Sequence, residues 1–296
     1  MPAIPASGGT SSPPSPRSAC GTLYVVATPL GHLEDVTLRA IRILGEVSLV
    51  ACEDTRRTAT LLRAHGVKTP TTSYFEHNER FKGVRILEAL RSGRDVALVS
   101  DAGTPGISDP GYRLVRDARA EGIPVVPVPG ASAATAALSV SGLPTDRFLF
   151  VGFLPAKAGA RRNALAALAA QTPTLVFFES PVRVVESLSD MLAALGDRDA
   201  FLCREATKAH EEYLRAPLSA LHERLAARDG VKGEIVIVVA GAPDAAPSSE
   251  DPVALYRRLA AEGRTRREAV KEAARRLGRP AREVYAIVQR AEPESE

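Results

Sequence analysis

The sequence predicts an α/β protein in which two α/β domains enclose a ligand cleft and a small C-terminal helical unit follows. Three observations predict it. Short apolar and β-branched runs alternate with stretches of helical period between Leu23 and Ala240. In the first half each run ends in a cluster of Gly, Pro, Asp or Glu, which places these residues on one rim of a parallel sheet, at the carboxyl ends of its strands. After residue 250 the strand pattern stops, and Arg-rich helical segments with their own start and stop signals take over.

Residues 1–20 are rich in Pro, Ser, Gly and Ala and lack the basic cluster and apolar core of a signal peptide, so they read as a disordered tail. The first α/β domain spans 21–142. Its strands fall at Leu23–Ala27, Val47–Ala51, Val96–Ser100 and Val125–Val128. Asp35 is placed to cap a helix running to about Leu44, and a small-residue helix runs from Ala133 to about Val140. The second α/β domain spans 143–241, with strands at Phe148–Gly152, Thr174–Phe178, Ala200–Arg204 and Glu234–Ala240 and helices at about 160–170, 182–195 and 217–228. Alternation of strands and helices implies βαβ units and parallel sheets. Residues 242–250 have the composition of a linker, and 251–290 form a basic unit of three helices. Within it Pro252 opens one helix, and Thr265-Arg266-Arg267-Glu268 has the spacing of a capping box. Gly278 ends the second helix and Pro280 starts the third.

The most specialised stretch is Val99-Ser100-Asp101-Ala102-Gly103-Thr104-Pro105-Gly106-Ile107-Ser108-Asp109-Pro110-Gly111. Three glycines and two prolines fix a tight path that can aim main-chain N–H and C=O groups at a ligand. Asp101 and Asp109 add carboxylates with no adjacent cation. Such a loop suits a ligand with hydroxyls and a positive group. A phosphate loop would carry GxxxxGK[ST] or GxGxxG, and neither occurs here.

With 296 residues, 45% hydrophobic and 25% charged, the composition is that of a globular protein of about two domains. No apolar run approaches the roughly 20 residues of a membrane span. Cys20, Cys52 and Cys203 lie far apart and form no metal-ligand spacing, which argues against disulfides and structural zinc and fits a reducing cytoplasm. The net charge of +3 is uneven. Residues 251–290 hold 11 Lys and Arg against 5 Asp and Glu, which points to a polyanionic partner or, equally, to a solvated helical face.

Several motifs together resemble one family. They are Thr28-Pro29-Leu30-Gly31, Glu53-Asp54-Thr55-Arg56, His77-Asn78-Glu79, Ser100–Gly111 and Phe153-Leu154-Pro155-Ala156-Lys157. Phe178-Glu179-Ser180 with Arg183, Cys203-Arg204-Glu205 with Thr207-Lys208, and Lys232-Gly233-Glu234 add to them. Over roughly residues 21–290 the chain resembles the tetrapyrrole (corrin/porphyrin) methylase superfamily, and within it the bacterial 16S rRNA cytidine 2′-O-methyltransferases. The resemblance implies the class III methyltransferase fold, with S-adenosyl-L-methionine (SAM) held between two α/β domains. It also implies a homodimer and, as substrate, a cytidine ribose of 16S rRNA near the decoding centre. Two positions depart from the family: His32 stands where Asn is usual after the turn, and Ala206 where Leu is usual. The first bears on a polar contact at the cleft, the second on packing.

Methyl transfer needs alignment, exclusion of water and help in removing the hydroxyl proton. The cofactor site is assigned to Asp101, Gly103, Thr104, Pro105 and Ile107, with Ser132 and Ala133 from the Pro129–Ala133 turn and Pro29 and Gly31 lining the cleft. For proton removal the candidates are Glu53, Asp54, His77 and Glu179, unranked, with ion pairs to Arg56 or Arg57 and to Arg183 as the structural alternative. RNA contact is assigned to Arg56, Arg57, Lys157, Arg161, Arg162, Arg183 and Arg204 together with the C-terminal Arg set. No metal is expected. Two other readings stand beside this one: a methylase of corrin or porphyrin precursors, and a non-catalytic RNA-binding assembly factor.

Overall fold

The structure is a computed structural model, and it describes residues 20–243 and 250–292. The expected tail, apart from Cys20, and residues 244–249 of the expected linker lie outside the described residues.

The first sheet has five strands: β1 (Leu23–Val26), β2 (Leu49–Cys52), β3 (Thr71–Ser73), β4 (Val96–Val99) and β5 (Val125–Val128). Their order is β3-β2-β4-β1-β5, and every pairing is parallel. The helices α1 (Leu38–Glu46) and α2 (Thr55–Ala64) cover one face; α3 (Glu79–Arg91) and α4 (Tyr112–Ala120) cover the other. β4 shows why its sequence is an unbroken apolar run. Val96 and Leu98 pack under α3 and α4 while Ala97 and Val99 pack under α1 and α2, so both faces are buried. The chain leaves β1 toward one face and the neighbouring β4 toward the other. That divergence opens a crevice at the carboxyl ends of the two strands.

The second sheet has strands β6 (Phe148–Phe153), β7 (Thr174–Glu179), β8 (Asp199–Arg204), β9 (Glu212–Pro217) and β10 (Ile235–Val239), in the order β6-β7-β10-β8-β9. Only β6 and β7 pair in parallel; the other pairs are antiparallel. The expectation of parallel sheets throughout is therefore corrected for this half. The crossover from β7 to β8 leaves a one-strand gap, and β10 fills it running the opposite way. Helices α6 (Ala158–Leu168), α7 (Val184–Leu195) and α8 (Leu218–Ala226) pack on one face through Leu165, Leu188, Met191 and Leu221. On the opposite face lies α5 (Ala133–Val140), which follows β5 of the first sheet. Its Ala134, Ala137 and Leu138 pack against Val176, Phe201, Val236 and Val238.

Two local expectations change. Asp35 belongs to a short 3-10 turn, Leu33–Asp35, and it is Thr37 that caps α1 by accepting the Ala40 N–H at 3.0 Å. β2 begins at Leu49, two residues later than expected. The C-terminal helices α9 (Pro252–Ala261), α10 (Arg266–Leu277) and α11 (Ala281–Ala291) share a core built on Leu255, Leu259, Val270, Leu277, Val284 and Val288. The Thr265–Glu268 capping box is formed, and Gly278 ends α10 in the left-handed conformation at φ 62°.

Candidate active site

Three rim loops of the first sheet are tied to one another before they meet any ligand. Thr28 N–H donates to Gly103 O at 2.9 Å, and Gly103 N–H donates back to Thr28 O at 3.0 Å. The buried Thr28 hydroxyl donates to Ser100 O at 3.0 Å, and the Thr104 hydroxyl donates to Ala131 O at 3.1 Å. Gly103 sits at φ 78°, a conformation that a side chain would strain. The loop after β4 is thus held on both flanks, and one edge of it, Asp101 to Thr104, faces a cavity.

That edge forms one wall of a cleft of about 380 Å³ between the two sheets. The first half contributes Leu30, Glu53, Arg57, Asp101, Ala102, Gly103, Thr104, Ile107, Asp109, Ser132 and Ala133. The second contributes Phe153, Phe178, Glu179, Ser180, Pro181, Glu234 and Ile235. Carboxylates come from both halves and the aromatic rings from the second; Phe153 and Phe178 meet edge to face at 5.7 Å.

Of the expected cofactor residues, Asp101, Gly103, Thr104, Ile107, Ser132 and Ala133 line this cleft. Pro105 is buried within the loop and does not line it. Pro29 and Gly31 line an adjoining recess of about 250 Å³ that shares Arg57 and Asp101 with the cleft. Asp101 accepts the Asp54 N–H at 2.9 Å and faces Arg57 at 3.5 Å.

The four candidates for proton removal separate. Glu53 lines the cleft; burial, then the Asp101 charge, push its carboxyl up against the opposing pull of Arg57. Asp54 is turned away to cap α2, and its hydrogen bonds from Arg56 hold it down at about 2. His77 is exposed beside Phe75 and takes no part in the cleft. Glu179 touches the cleft, but its side chain is fully buried and engaged. It accepts the Ser180 N–H at 2.7 Å and the Ser187 hydroxyl at 2.6 Å, and pairs with Arg183 at 2.8 Å. Those bonds make it a brace for the β7–α7 turn and leave it little acceptor capacity for a substrate proton.

The cations separate too. Arg161 is a correction: only 2% exposed, it pairs with Asp190 at 2.7 Å and Glu186 at 3.3 Å, so it joins α6 to α7 and cannot meet RNA. Arg183 serves Glu179 and the Leu154 carbonyl, and Arg204 serves Glu212 and the Lys232 carbonyl. Both are held by these protein partners, with 24% and 19% of the side chain exposed. Arg56 (side chain 89% exposed), Arg57, Lys157 and Arg162 remain at the surface, and Arg57 lines the cleft.

Two cleft carboxylates were not among the expected site residues. Asp109 sits at the far end of the loop after β4. Burial, with help from the Glu53, Asp101 and Glu234 charges and against the Ser100 hydroxyl, pushes it up to about 6. Its signal was present in the sequence as the second Asp of the loop. Glu234 is set by a strained turn in which Glu205 and Thr207 adopt φ 53° and 62°. Glu205 accepts the Glu234 N–H at 2.9 Å, and Lys208 bridges Glu205 and Glu234 at 2.8 and 3.3 Å. The same turn reaches the first half, because the His32 N–H donates to the Thr207 hydroxyl at 3.1 Å. That bond uses the main chain, so His32 in place of Asn leaves it intact. Ala206 packs at the edge of the core beneath α5.

Among the described residues no group of three or more His, Cys, Asp or Glu is placed to hold a metal, and no helix is long and apolar enough to cross a membrane. A family model of tetrapyrrole (corrin/porphyrin) methylases matches residues 22–222. The ribosomal RNA small subunit methyltransferase I of Pseudomonas aeruginosa is 51% identical over 79% of this chain and 83% of its own. The protein of the same name from Halalkalibacterium halodurans is 47% identical over 92% of this chain and 96% of its own. Among solved structures, the uroporphyrin-III C-methyltransferase of Thermus thermophilus in complex with S-adenosylhomocysteine superimposes with a TM-score of 0.53. It covers 74% of this chain and 97% of its own at 24% identity, a likeness of fold.

Proposed function

The chain belongs to the tetrapyrrole (corrin/porphyrin) methylase family and is a methyltransferase, and from that premise we propose that it transfers a methyl group from SAM to the 2′-hydroxyl of a cytidine ribose in 16S rRNA. The substrate is the assembled small subunit near its decoding centre, and the enzyme works as a cytoplasmic homodimer. The observation that carries this reading is the cleft itself, in which a glycine-lined main-chain edge stands among carboxylates that outnumber the cations. The names of relatives 47–51% identical support the RNA substrate.

The residues present fit the cofactor. A sulfonium cation is favoured by Glu53, Asp101 and Glu234 on the cleft wall. A planar base is accommodated by Ile107, Phe153 and Phe178, and polar groups by Thr104, Ser132 and the main chain of Ala102 and Gly103. When bound, SAM supplies a methyl group already activated for displacement.

What remains for the protein is orientation, dryness and a proton acceptor. The Thr28–Gly103 and Thr104–Ala131 bonds fix the wall, and Phe153, Phe178 and Pro181 keep water from it. Arg56, Arg57, Lys157 and Arg162, with the basic helices α9–α11, supply the phosphate contacts that hold the RNA in register.

The test is incubation of pure protein with methyl-labelled SAM and either small ribosomal subunits or a porphyrin precursor. Label in ribose is the expected outcome. Label in the macrocycle would replace this reading with the precursor methylase, and RNA binding without transfer would replace it with the assembly factor.

A further inference from the structure

Two carboxylates of the cleft take neither a salt bridge nor a main-chain N–H among the described residues: Glu53 and Asp109. Asp101 is committed to Asp54 and Arg57, Glu179 to Arg183 and two serine groups, and Glu234 to Lys208. Glu53 shares the cavity with Arg57, whose charge opposes the upward push of burial and of the Asp101 charge. Asp109 has no such neighbour. Its polar surroundings are Ser100 and Asp101 of its own loop, Glu53 from the end of β2 and Glu234 from the approach to β10. The cations of this region are Arg57, across the cavity on Asp101, and Lys208, held by Glu205 and Glu234.

Asp109 is also held in place. Ser108 before it is left-handed at φ 62°, and its hydroxyl lies 3.0 Å from where a Cβ on Gly152 would stand. Gly152 itself sits at φ 74° beside an irregularity in β6, so the second sheet makes room for this turn. On the other side Gly111 is at φ 141°, where a Cβ would press on Leu98, and its N–H donates to Glu79 at 3.3 Å. Glu79 is anchored in turn by Arg113 at 3.4 Å. A left-handed Ser108 on one side and a glycine-only conformation at Gly111 on the other fix a cleft-lining carboxylate that takes no salt bridge, the arrangement of a pre-positioned reactive group.

We propose that Asp109 is the general base that accepts the proton of the attacking ribose 2′-hydroxyl, while Glu53 faces the donor's positive charge. The inference rests on the reading that the acceptor is a ribose hydroxyl. The O–H bond breaks and its proton passes to an Asp109 oxygen. The freed oxygen pair forms the new bond to the methyl carbon of a sulfonium donor. The old carbon–sulfur bond breaks with its pair left on sulfur, giving a neutral thioether. One negative and one positive charge disappear together, which a poorly solvated cleft favours. The raised proton affinity that burial gives Asp109 makes it a stronger base than an ordinary carboxylate.

The experiment compares wild type, Asp109→Asn and Asp109→Glu in transfer to small subunits, with donor affinity read by calorimetry. It adds a carbon-13 NMR titration of aspartate-labelled protein without donor. The expected result is a rate loss of about 10²–10⁴-fold in the Asn variant, donor affinity within threefold of wild type, and partial recovery in the Glu variant. The acid limb of kcat/KM and one aspartate resonance should share a midpoint of about 6 in wild type, and that resonance should be missing from the Asn variant. An Asn variant that keeps more than half the rate, or a wild-type protein with no aspartate titrating in that range, overturns the proposal. A wild type that methylates only a macrocycle sinks the RNA reading instead, and the Asp109 role at a ribose with it; a wild type active on ribose with an indifferent Asn variant sinks Asp109 alone.

Discussion

Thr28 and Gly103 exchange two main-chain hydrogen bonds, at 2.9 and 3.0 Å, between loops that follow adjacent strands. The Thr28 hydroxyl adds a third bond, to Ser100 O, beneath them. This joint fixes the distance between the turn after β1 and the wall of the cleft.

Thr28→Val keeps the shape of the side chain and leaves the buried Ser100 carbonyl without that donor. It should destabilise the protein by about 1–2 kcal/mol and weaken SAM binding. Thermal unfolding and calorimetry read the two effects, and unchanged values in both would show that the joint does not shape the wall.

Arg183→Ala should be more damaging to the fold. It strands the fully buried Glu179 carboxylate without its cation, at a cost of about 3–5 kcal/mol. The double variant Glu179→Gln, Arg183→Met should recover much of the loss in urea unfolding. A single Arg183→Ala variant as stable as wild type would contradict the bracing role.

Neighbouring arginines on α6 should behave oppositely. Arg161→Ala removes the partner of Asp190 and Glu186 and should cost about 3 kcal/mol in stability. Arg162→Ala should leave stability within about 0.5 kcal/mol and lower the salt dependence of RNA binding by about one charge. Reversal of that pattern would mean that the exposed and buried cations have been confused.

Asp109 sets a pH dependence of stability. Its proton affinity is raised on folding from the ordinary 3.8 to about 6, so the folded state holds the proton more tightly than the unfolded chain. Stability associated with this group is greatest below about pH 4 and falls as pH rises through 6. Discounted for the water that still reaches the carboxyl, the cost at neutral pH is about 1–2 kcal/mol. Asp109→Asn should therefore be more stable than wild type at pH 7–8, with the difference vanishing near pH 4. Denaturant unfolding across that range checks it; a neutral-pH variant less stable than wild type would refute the burial argument.

In the helical unit, Arg267, Lys271 and Arg282 make no ion pair among the described residues, whereas Arg275 and Arg276 share Glu272. Replacing the first three by Gln should weaken RNA binding and flatten its salt dependence, with SAM affinity unchanged. Replacing Arg275 and Arg276 should do less. Filter binding at several salt concentrations separates the sets.

The sequence revealed whatever rested on local chemistry. β4 was visible because burial on two faces demands an unbroken apolar run, and the α10 cap because Thr265 and Glu268 bond each other directly. β9 was missed because it is an edge strand whose exposed residues alternate with half-buried ones, among them Glu212, held by Arg204 and Arg228. β3 was missed because it is three hydroxyl residues long. In the site, adjacency misled where periodicity would have helped. Arg161 lies one helical turn before the buried Leu165, on the inward face of α6, whereas Arg162 points out. Asp109 stood in the most specific stretch of the chain, but its isolation from cations depends on what the second sheet and the loop before β10 bring beside it. No spacing within the loop encodes that.

Helix α5 grows out of the last strand of one sheet yet buries Ala134, Ala137 and Leu138 under the other. Prising the halves apart would tear open a shared core, so the enzyme is built as a notched block rather than a jaw. Anything entering must slip in past the rim, and a nucleotide embedded in a folded ribosomal helix would have to swing out of its stack to reach the bottom of the notch.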